Sequence, residues 1–286
     1  MHFCKMMFSG IRIIFLIFIV SIYTFTNTFS QSSIRIVSWN LKDFGQSKSD
    51  EEILFIAKTI KDFDIVMIQE IVAQHPGGAQ AVGRLAEALN RMGARWDYRI
   101  SDMTSGENSY KRERYAFLWK PSKVKLIGRP WLEKQYNLEI NREPFFATFN
   151  KDGKEFTLVN FHAITKSKQP ETEIKYFKYL PAEYPNLNLI FCGDFNCPQS
   201  HTVFNPLRKM GYLPALVDQR TSLRQQCLSD GCLASEYDNV WYNTSKILKI
   251  YAGIIHFYIG FTDIKEAGKV SDHVPVVFEF EVGNYK

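Results

Sequence analysis

At 286 residues, with 45% of its side chains apolar, the chain has the material for a full hydrophobic core, which excludes a disordered or low-complexity polypeptide. Its formal net charge of +5 is mild, so composition alone demands neither a nucleic-acid nor a membrane partner.

The first thirty residues stand apart from the rest. Lys5 and Arg12 precede an apolar run over 13–20, and Thr28-Phe29-Ser30 then offers small residues suited to a signal peptidase. This form predicts a secretory signal over 1–30, since the uninterrupted run is short for a membrane span. The alternative is a retained N-terminal anchor. Cleavage removes Lys5 and Arg12 from the 35 basic residues, leaving 33 against 30 acidic ones in a secreted or periplasmic protein. No stable membrane association is then expected.

Export permits disulfides. Cys192 ends an apolar run and reads as a buried thiol, whereas Cys197, Cys227 and Cys232 lie in loop-like sequence. A bridge from Cys197 to either of the other two, or a local one between Cys227 and Cys232, fits the spacing.

Residues 34–40 read as a strand. Ser49 and Glu52 form a capping box, after which Ile53, Ile56, Ala57 and Ile60 recur at helical spacing. A strand over 64–70 completes a strand, helix, strand unit, the connection that a parallel pair requires. A helix is expected over 79–92, stopped by Gly93, followed by a polar loop over 101–108 and a strand over 115–119. Residues 143–149 and 156–162 resemble a hairpin. The plan then repeats, with a strand over 157–162, a helix over 171–180 and a strand over 187–194. Residues 213–236 read as loop, and strands follow at 239–242 and 274–280. No linker divides residues 31–286, which predicts a single α/β domain of two packed sheets with helices on the outer faces.

Asn40, Glu70, His162, Asp194, Asn196, Asp238, Asp272 and His273 come from separate segments, nearly all at one end of an apolar run. Each alone has a structural explanation as a turn residue, a cap or a satisfied interior histidine. Jointly they predict one polar rim.

Cleavage of a phosphate ester needs this mixture, because the site must neutralise an anion, activate a water and protonate a leaving oxygen. Asn40 and Glu70 offer hard oxygen ligands, which favour Mg²⁺, with Mn²⁺ or Ca²⁺ as alternatives, over Zn²⁺. Two histidines beside spare acids can supply a general base and a general acid. No His-Glu-x-x-His, paired Cys-x-x-Cys or Gly-x-Ser-x-Gly pattern occurs, which argues against a zinc peptidase or a serine hydrolase. The loop bearing Tyr110, Lys111, Arg112 and Arg114 is basic and aromatic, suited to phosphate, sugar or base, and Lys42 adds a candidate phosphate contact.

The runs Ser38 to Gly45, Asp64 to Glu70, Asn108 to Tyr115, Arg142-Glu143-Pro144, Asn160-Phe161-His162, Gly193-Asp194-Phe195-Asn196, Tyr237-Asp238 and Ser271-Asp272-His273 resemble the endonuclease/exonuclease/phosphatase superfamily, and within it the deoxyribonuclease I branch. The resemblance implies a four-layer α/β sandwich and metal-dependent hydrolysis of phosphodiesters in DNA, duplex DNA above all, by a monomer. It implies that Asn40 and Glu70 are metal-site residues, with Asp272 nearby. It implies His273 as a base paired with Asp238, and His162 as an acid paired with Glu113. Asp194 and Asn196 would hold the scissile phosphate and metal, and Arg142 would contact phosphate.

Two positions depart from the pattern. The branch's minor-groove arginine is Val72 here, and an extra residue, at Arg112, separates Tyr110 from Glu113. Two other functions are weighed against this one: a sphingomyelin or phosphoinositide hydrolase of the same superfamily, and a catalytically inactive DNA- or protein-binding module.

Overall fold

The computed structural model describes residues 33–106 and 112–285. The expected signal segment over 1–30 lies outside the described residues, as do Tyr110 and Lys111.

β1 (Ile34–Phe44) leads through helix α1 (Asp50–Ile60) to β2 (Ile65–Val72), which pairs parallel with β1. The capping box is formed: Ser49 Oγ accepts from the Glu52 N–H at 3.2 Å, and Glu52 Oε2 accepts from the Ser49 N–H at 2.8 Å. Ile53, Ile56, Ala57 and Ile60 are the buried face of α1. Helix α2 (Gly77–Asn90) begins and ends two residues before the expected bounds. Pro76 presets its entry, the His75 ring accepts from the Gly77 N–H, and Asn90 Oδ1 accepts from the Trp96 N–H at its exit.

β3 (Asp97–Ile100) and β4 (Glu113–Trp119) complete the first sheet on one side, and β13 (Ile247–Ile254) and β14 (Val276–Val282) complete it on the other, in the order β13-β14-β1-β2-β4-β3. The second sheet contains β5 (Lys125–Leu132), β6 (Phe145–Lys151), β7 (Lys154–His162), β8 (Leu189–Asp194), β9 (Tyr212–Pro214) and β12 (Asp238–Asn243), in the order β5-β6-β7-β8-β12-β9. β7 and β8 are its parallel pair.

The helix expected over 171–180 is two short pieces, α3 (Glu171–Ile174) and α4 (Leu180–Glu183). Pro181 sits in the first turn of α4 and has no N–H to extend a preceding helix. Residues 213–236, expected to be loop, end β9 and form a hairpin of β10 (Leu223–Leu228) and β11 (Gly231–Leu233). The Cys227–Cys232 disulfide closes that hairpin, and Arg220 and Arg224 both bridge to Asp230. Cys192 and Cys197 are buried thiols. Two further helices, α5 (Asn205–Lys209) and α6 (Ile264–Val270), complete the described chain.

The two sheets face one another across a core of Ile34, Ile36, Met67, Phe117, Phe149, Ile190, Cys192 and Phe278. Val37, Trp39 and Leu41, on the opposite face of β1, pack beneath α1 and α2. Leu189 and Phe191 likewise face outward from β8 onto Ile174, Phe177 and Leu180. Strands covered on both faces read as continuous apolar runs, and each buried large side chain contributes about 1.5–3 kcal/mol. The result is the four-layer α/β sandwich.

Pairing directions determine where polar groups gather. To one rim β1 and β2 contribute Asn40 and Glu70 from their C-terminal halves, β7 and β8 contribute their last residues, and the antiparallel β4, β12 and β14 contribute the residues at or just before their starts.

Candidate active site

Asn40, at the rim end of β1, is fully buried, and its Nδ2 donates to Glu70 Oε1 at 3.0 Å and Asp194 Oδ2 at 3.1 Å. Two carboxylates on one side fix the amide's orientation, because an oxygen there would be repelled. Asn40 Oδ1 is consequently a buried acceptor without a partner. Glu70 has a left-handed backbone (φ +59°) where the pairing of β1 with β2 and of β2 with β4 shifts register. This bulge re-aims the Glu70 carboxylate, whose Oε2 accepts from the Asp43 N–H at 3.3 Å.

The Ser271-Asp272-His273 segment is sewn to β1. Ser271 Oγ donates to the Asn40 carbonyl at 2.5 Å and accepts from the His273 N–H at 2.9 Å, while Trp39 Nε1 donates to the His273 carbonyl at 2.7 Å. His273 Nδ1 lies 2.6 Å from Asp238 Oδ2. The fully buried Thr221 hydroxyl donates to that same oxygen at 2.7 Å and accepts from the Tyr237 and Asp238 N–H groups.

On the opposite side, His162 Nδ1 lies 3.0 Å from both Glu113 oxygens. Arg142 Nη1 donates to Glu113 Oε2 at 3.2 Å, and Arg142 Nη2 donates to the Ala163 carbonyl. Asp194, 1% exposed, lies between the two imidazoles: His162 Nε2 is 3.4 Å and His273 Nε2 3.6 Å from its Oδ2. Asp194 Oδ1 accepts from the Asn196 N–H at 2.8 Å, and Asn196 Nδ2 donates to the Ala163 carbonyl. The turn depends on Gly193, whose φ is +134° and where a Cβ would meet the Phe161 carbonyl oxygen at 1.9 Å. Beneath the rim, Gln69 Nε2 donates to Ser38 Oγ and Asn160 Oδ1, and Asn160 Nδ2 donates to the Ile68 and Ala116 carbonyls, joining the sheets.

The electrostatics follow from burial and pairing. Burial pushes Asp194 up, but His273 and His162 outweigh it and hold the carboxyl below its usual range. Glu113 is likewise lowered, with His162 and Arg142 overcoming burial. Burial pushes both imidazoles down. Asp238 and Asp194 nevertheless raise His273 well above the ordinary 6.5, and Glu113 and Asp194 raise His162 against both burial and Arg142. Burial pushes Asp238 up to about 6, against the pull of His273.

The rim therefore brings together Asn40, Glu70, Glu113, Arg142, His162, Asp194, Asn196, Asp238 and His273. Arg112 lines a cavity of about 440 Å³ with Glu70, Glu113, Arg142 and Lys168, and Val72 forms part of its wall. Lys42 and Asp272 line a neighbouring cleft of about 730 Å³, which shares Asp43 with the first. Arg114 Nη1 donates to the Ser101 carbonyl at 2.7 Å and holds the strand-edge backbone. Thr221 and Glu173 carry no sequence signal of their own, and Ser271, quoted within the Ser271-Asp272-His273 run, has no role legible there. Thr221 falls in the stretch that reads as loop, and no periodicity marks it.

This geometry accords with the relationships of the chain. Residues 37–273 match the Endonuclease/Exonuclease/phosphatase family, and the chain belongs to it. Over 271 residues it is 28% identical to a deoxyribonuclease of Thioalkalivibrio sp. (strain K90mix), covering 87% of this chain and 72% of that one. It is 31% identical over 180 residues to deoxyribonuclease-1 of Bos taurus, spanning 59% of this chain and 62% of the relative. An endonuclease/exonuclease/phosphatase family protein from Bacteroides thetaiotaomicron shares the fold with a TM-score of 0.63 at 19% identity, over 87% of this chain and 97% of that one. The human Nocturnin catalytic domain does so at 0.62 and 17%, over 88% and 95%.

Proposed function

We propose that this hydrolase of phosphodiester bonds is an exported, divalent-metal-dependent endonuclease that cleaves DNA, duplex DNA above all, with little sequence preference. The observation that carries the reading is the pair of imidazole Nε2 atoms converging on Asp194 Oδ2 from His162 and His273, each ring held at Nδ1 by its own carboxylate. Similarity to deoxyribonucleases from a bacterium and from cattle supports DNA as the substrate.

A carboxylate at Nδ1 fixes each tautomer and leaves Nε2 for proton transfer at the reacting phosphate. His273, backed by Asp238 and Thr221, takes the proton of the attacking water. His162, backed by Glu113, donates to the leaving oxygen. Arg142 neutralises phosphate charge, and Asn196 and Asp194 orient the group between the rings.

The Glu70 carboxylate and Asn40, whose Nδ2 contacts it and whose Oδ1 has no partner, offer the hard oxygen donors that a divalent cation takes. Bound there, Mg²⁺, Mn²⁺ or Ca²⁺ would neutralise phosphoryl charge and offset the carboxylate field that raises both imidazoles.

The mature protein is expected to nick supercoiled plasmid with Mg²⁺ and to stop with chelator. Intact plasmid across divalent metals, together with phosphocholine release from sphingomyelin, would overturn this reading.

A further inference from the structure

Glu173 of α3 is 1% exposed, and the reaction outlined above does not use it. Its Oε1 accepts from the Asn141 N–H at 2.7 Å and its Oε2 from the Ile164 N–H at 2.9 Å. Those two backbone groups belong to segments far apart in sequence. Asn141 precedes Arg142, and Ile164 follows His162 by two residues. Asn141 also accepts from the Gly106 N–H at 2.7 Å, so the backbone at Gly106 is held at the same point.

The separation of these segments decides how Arg142 meets His162. Arg142 Nη1 lies 3.0 Å from His162 Nδ1 and 3.2 Å from Glu113 Oε2. With Nδ1 donating to Glu113, the guanidinium and the imidazole are two donors competing for one carboxylate. Such an arrangement holds only if the backbone keeps both in place. Two bonds accepted by one buried carboxyl group can do this, because each oxygen is committed to a different segment.

We propose that Glu173 is a positioning residue for the Arg142–His162 half of the site, setting the distance between the two segments so that guanidinium and imidazole share Glu113. The catalytic part of this inference rests on the nuclease reading given above; the geometric part does not.

A second buried glutamate provides the control. Glu133, also 1% exposed, opens the loop that carries Arg142, but it accepts from the Gln135 and Tyr136 N–H groups at 2.9 Å each, within three residues of itself, so it fixes a local turn and does not tie that loop to the His162 segment. In Glu173→Gln one acceptor oxygen becomes an amino group facing a backbone donor. The expected result is a loss of about tenfold in kcat/KM and a displaced His162 ring-nitrogen NMR signal in the folded protein. Added to Arg142→Ala, the same change should cost less than about twofold more, as for residues acting through one another. Glu133→Gln should lower Tm comparably and leave the signal and the kinetics unchanged.

Glu173→Asp keeps both oxygens but retracts them by one methylene, and it should displace the same signal if the Gln variant does not fold. An unmoved His162 signal in the folded Glu173 variants, or an additive double variant, overturns the positioning role. A wild-type protein that cuts no DNA overturns the nuclease reading, whereas the NMR signal tests the geometry independently.

Discussion

Thr221 and His273 bond to the same oxygen of Asp238, at 2.7 and 2.6 Å, although they lie on opposite sides of it in the chain. The hydroxyl therefore holds the carboxylate that holds the imidazole. Thr221→Val keeps the shape and removes the donor, so kcat should fall about tenfold with little change in KM. Thr221→Ser should restore most of the loss. Equal losses in both variants, measured by plasmid nicking, would assign Thr221 to packing alone.

Both imidazoles face Asp194 Oδ2, so neither can substitute for the other without moving. His162→Ala and His273→Ala should each reduce the rate at least about a hundredfold, the scale of a general acid or base. Near-normal turnover in either variant would remove that residue from the proton transfers.

The raised imidazole pKa values also predict a stability profile. Burial lowers both, but Asp238 and Asp194 at His273, and Glu113 and Asp194 at His162, win. The folded state therefore binds these protons more tightly than the unfolded chain. Their stabilisation is complete below the ordinary 6.5 and is lost as pH rises through the folded values. In chelator, Tm should decline as pH rises above 6.5 through the raised folded-state values, and His273→Gln should flatten the decline. A wild-type Tm that stays level or rises over this range contradicts the assignment.

Val72 forms an apolar wall of the cavity that also holds Arg112 and Arg142. Val72→Arg would add a cation facing bound nucleic acid, tightening duplex binding and steepening the salt dependence by about one counterion. Unchanged affinity and slope across a salt titration would mean that duplex passes elsewhere.

The Cys227–Cys232 disulfide closes a hairpin whose base carries Thr221 and the Ser222 bridge to His273. Replacing both cysteines with Ser should cost about 2 kcal/mol or less in urea unfolding, since the closed loop is short. It should also slow nicking by loosening Thr221. Undiminished activity in a destabilised variant would uncouple the hairpin from the site.

Much was legible from the chain because it is local. The Ser49–Glu52 capping box, the stripe from Ile53 to Ile60, and the apolar runs ending at Asn40, Glu70, His162 and Asp194 lie within single segments. A strand buried on both faces announces itself, and a polar residue at its end is readable without a partner. The β3, β5 and β13 edges were not legible, because exposed residues interrupt their apolar pattern: Lys125 to Leu132 and Ile247 to Ile254 are largely open to solvent. The hairpin at 223–233 was hidden for a related reason, its disulfide and ion pairs being invisible to periodicity.

The sequence by itself determined the repeated strand, helix, strand plan, the family pattern and which polar groups stand at strand ends. Only the tertiary structure decided that His162 and His273 share Asp194, that Asp272 and Lys42 line the adjoining cleft, and that Thr221 and Glu173 stand behind the rim. Local periodicity records burial. A hydrogen bond between distant segments depends on sheet order and register, which follow from pairing the whole chain.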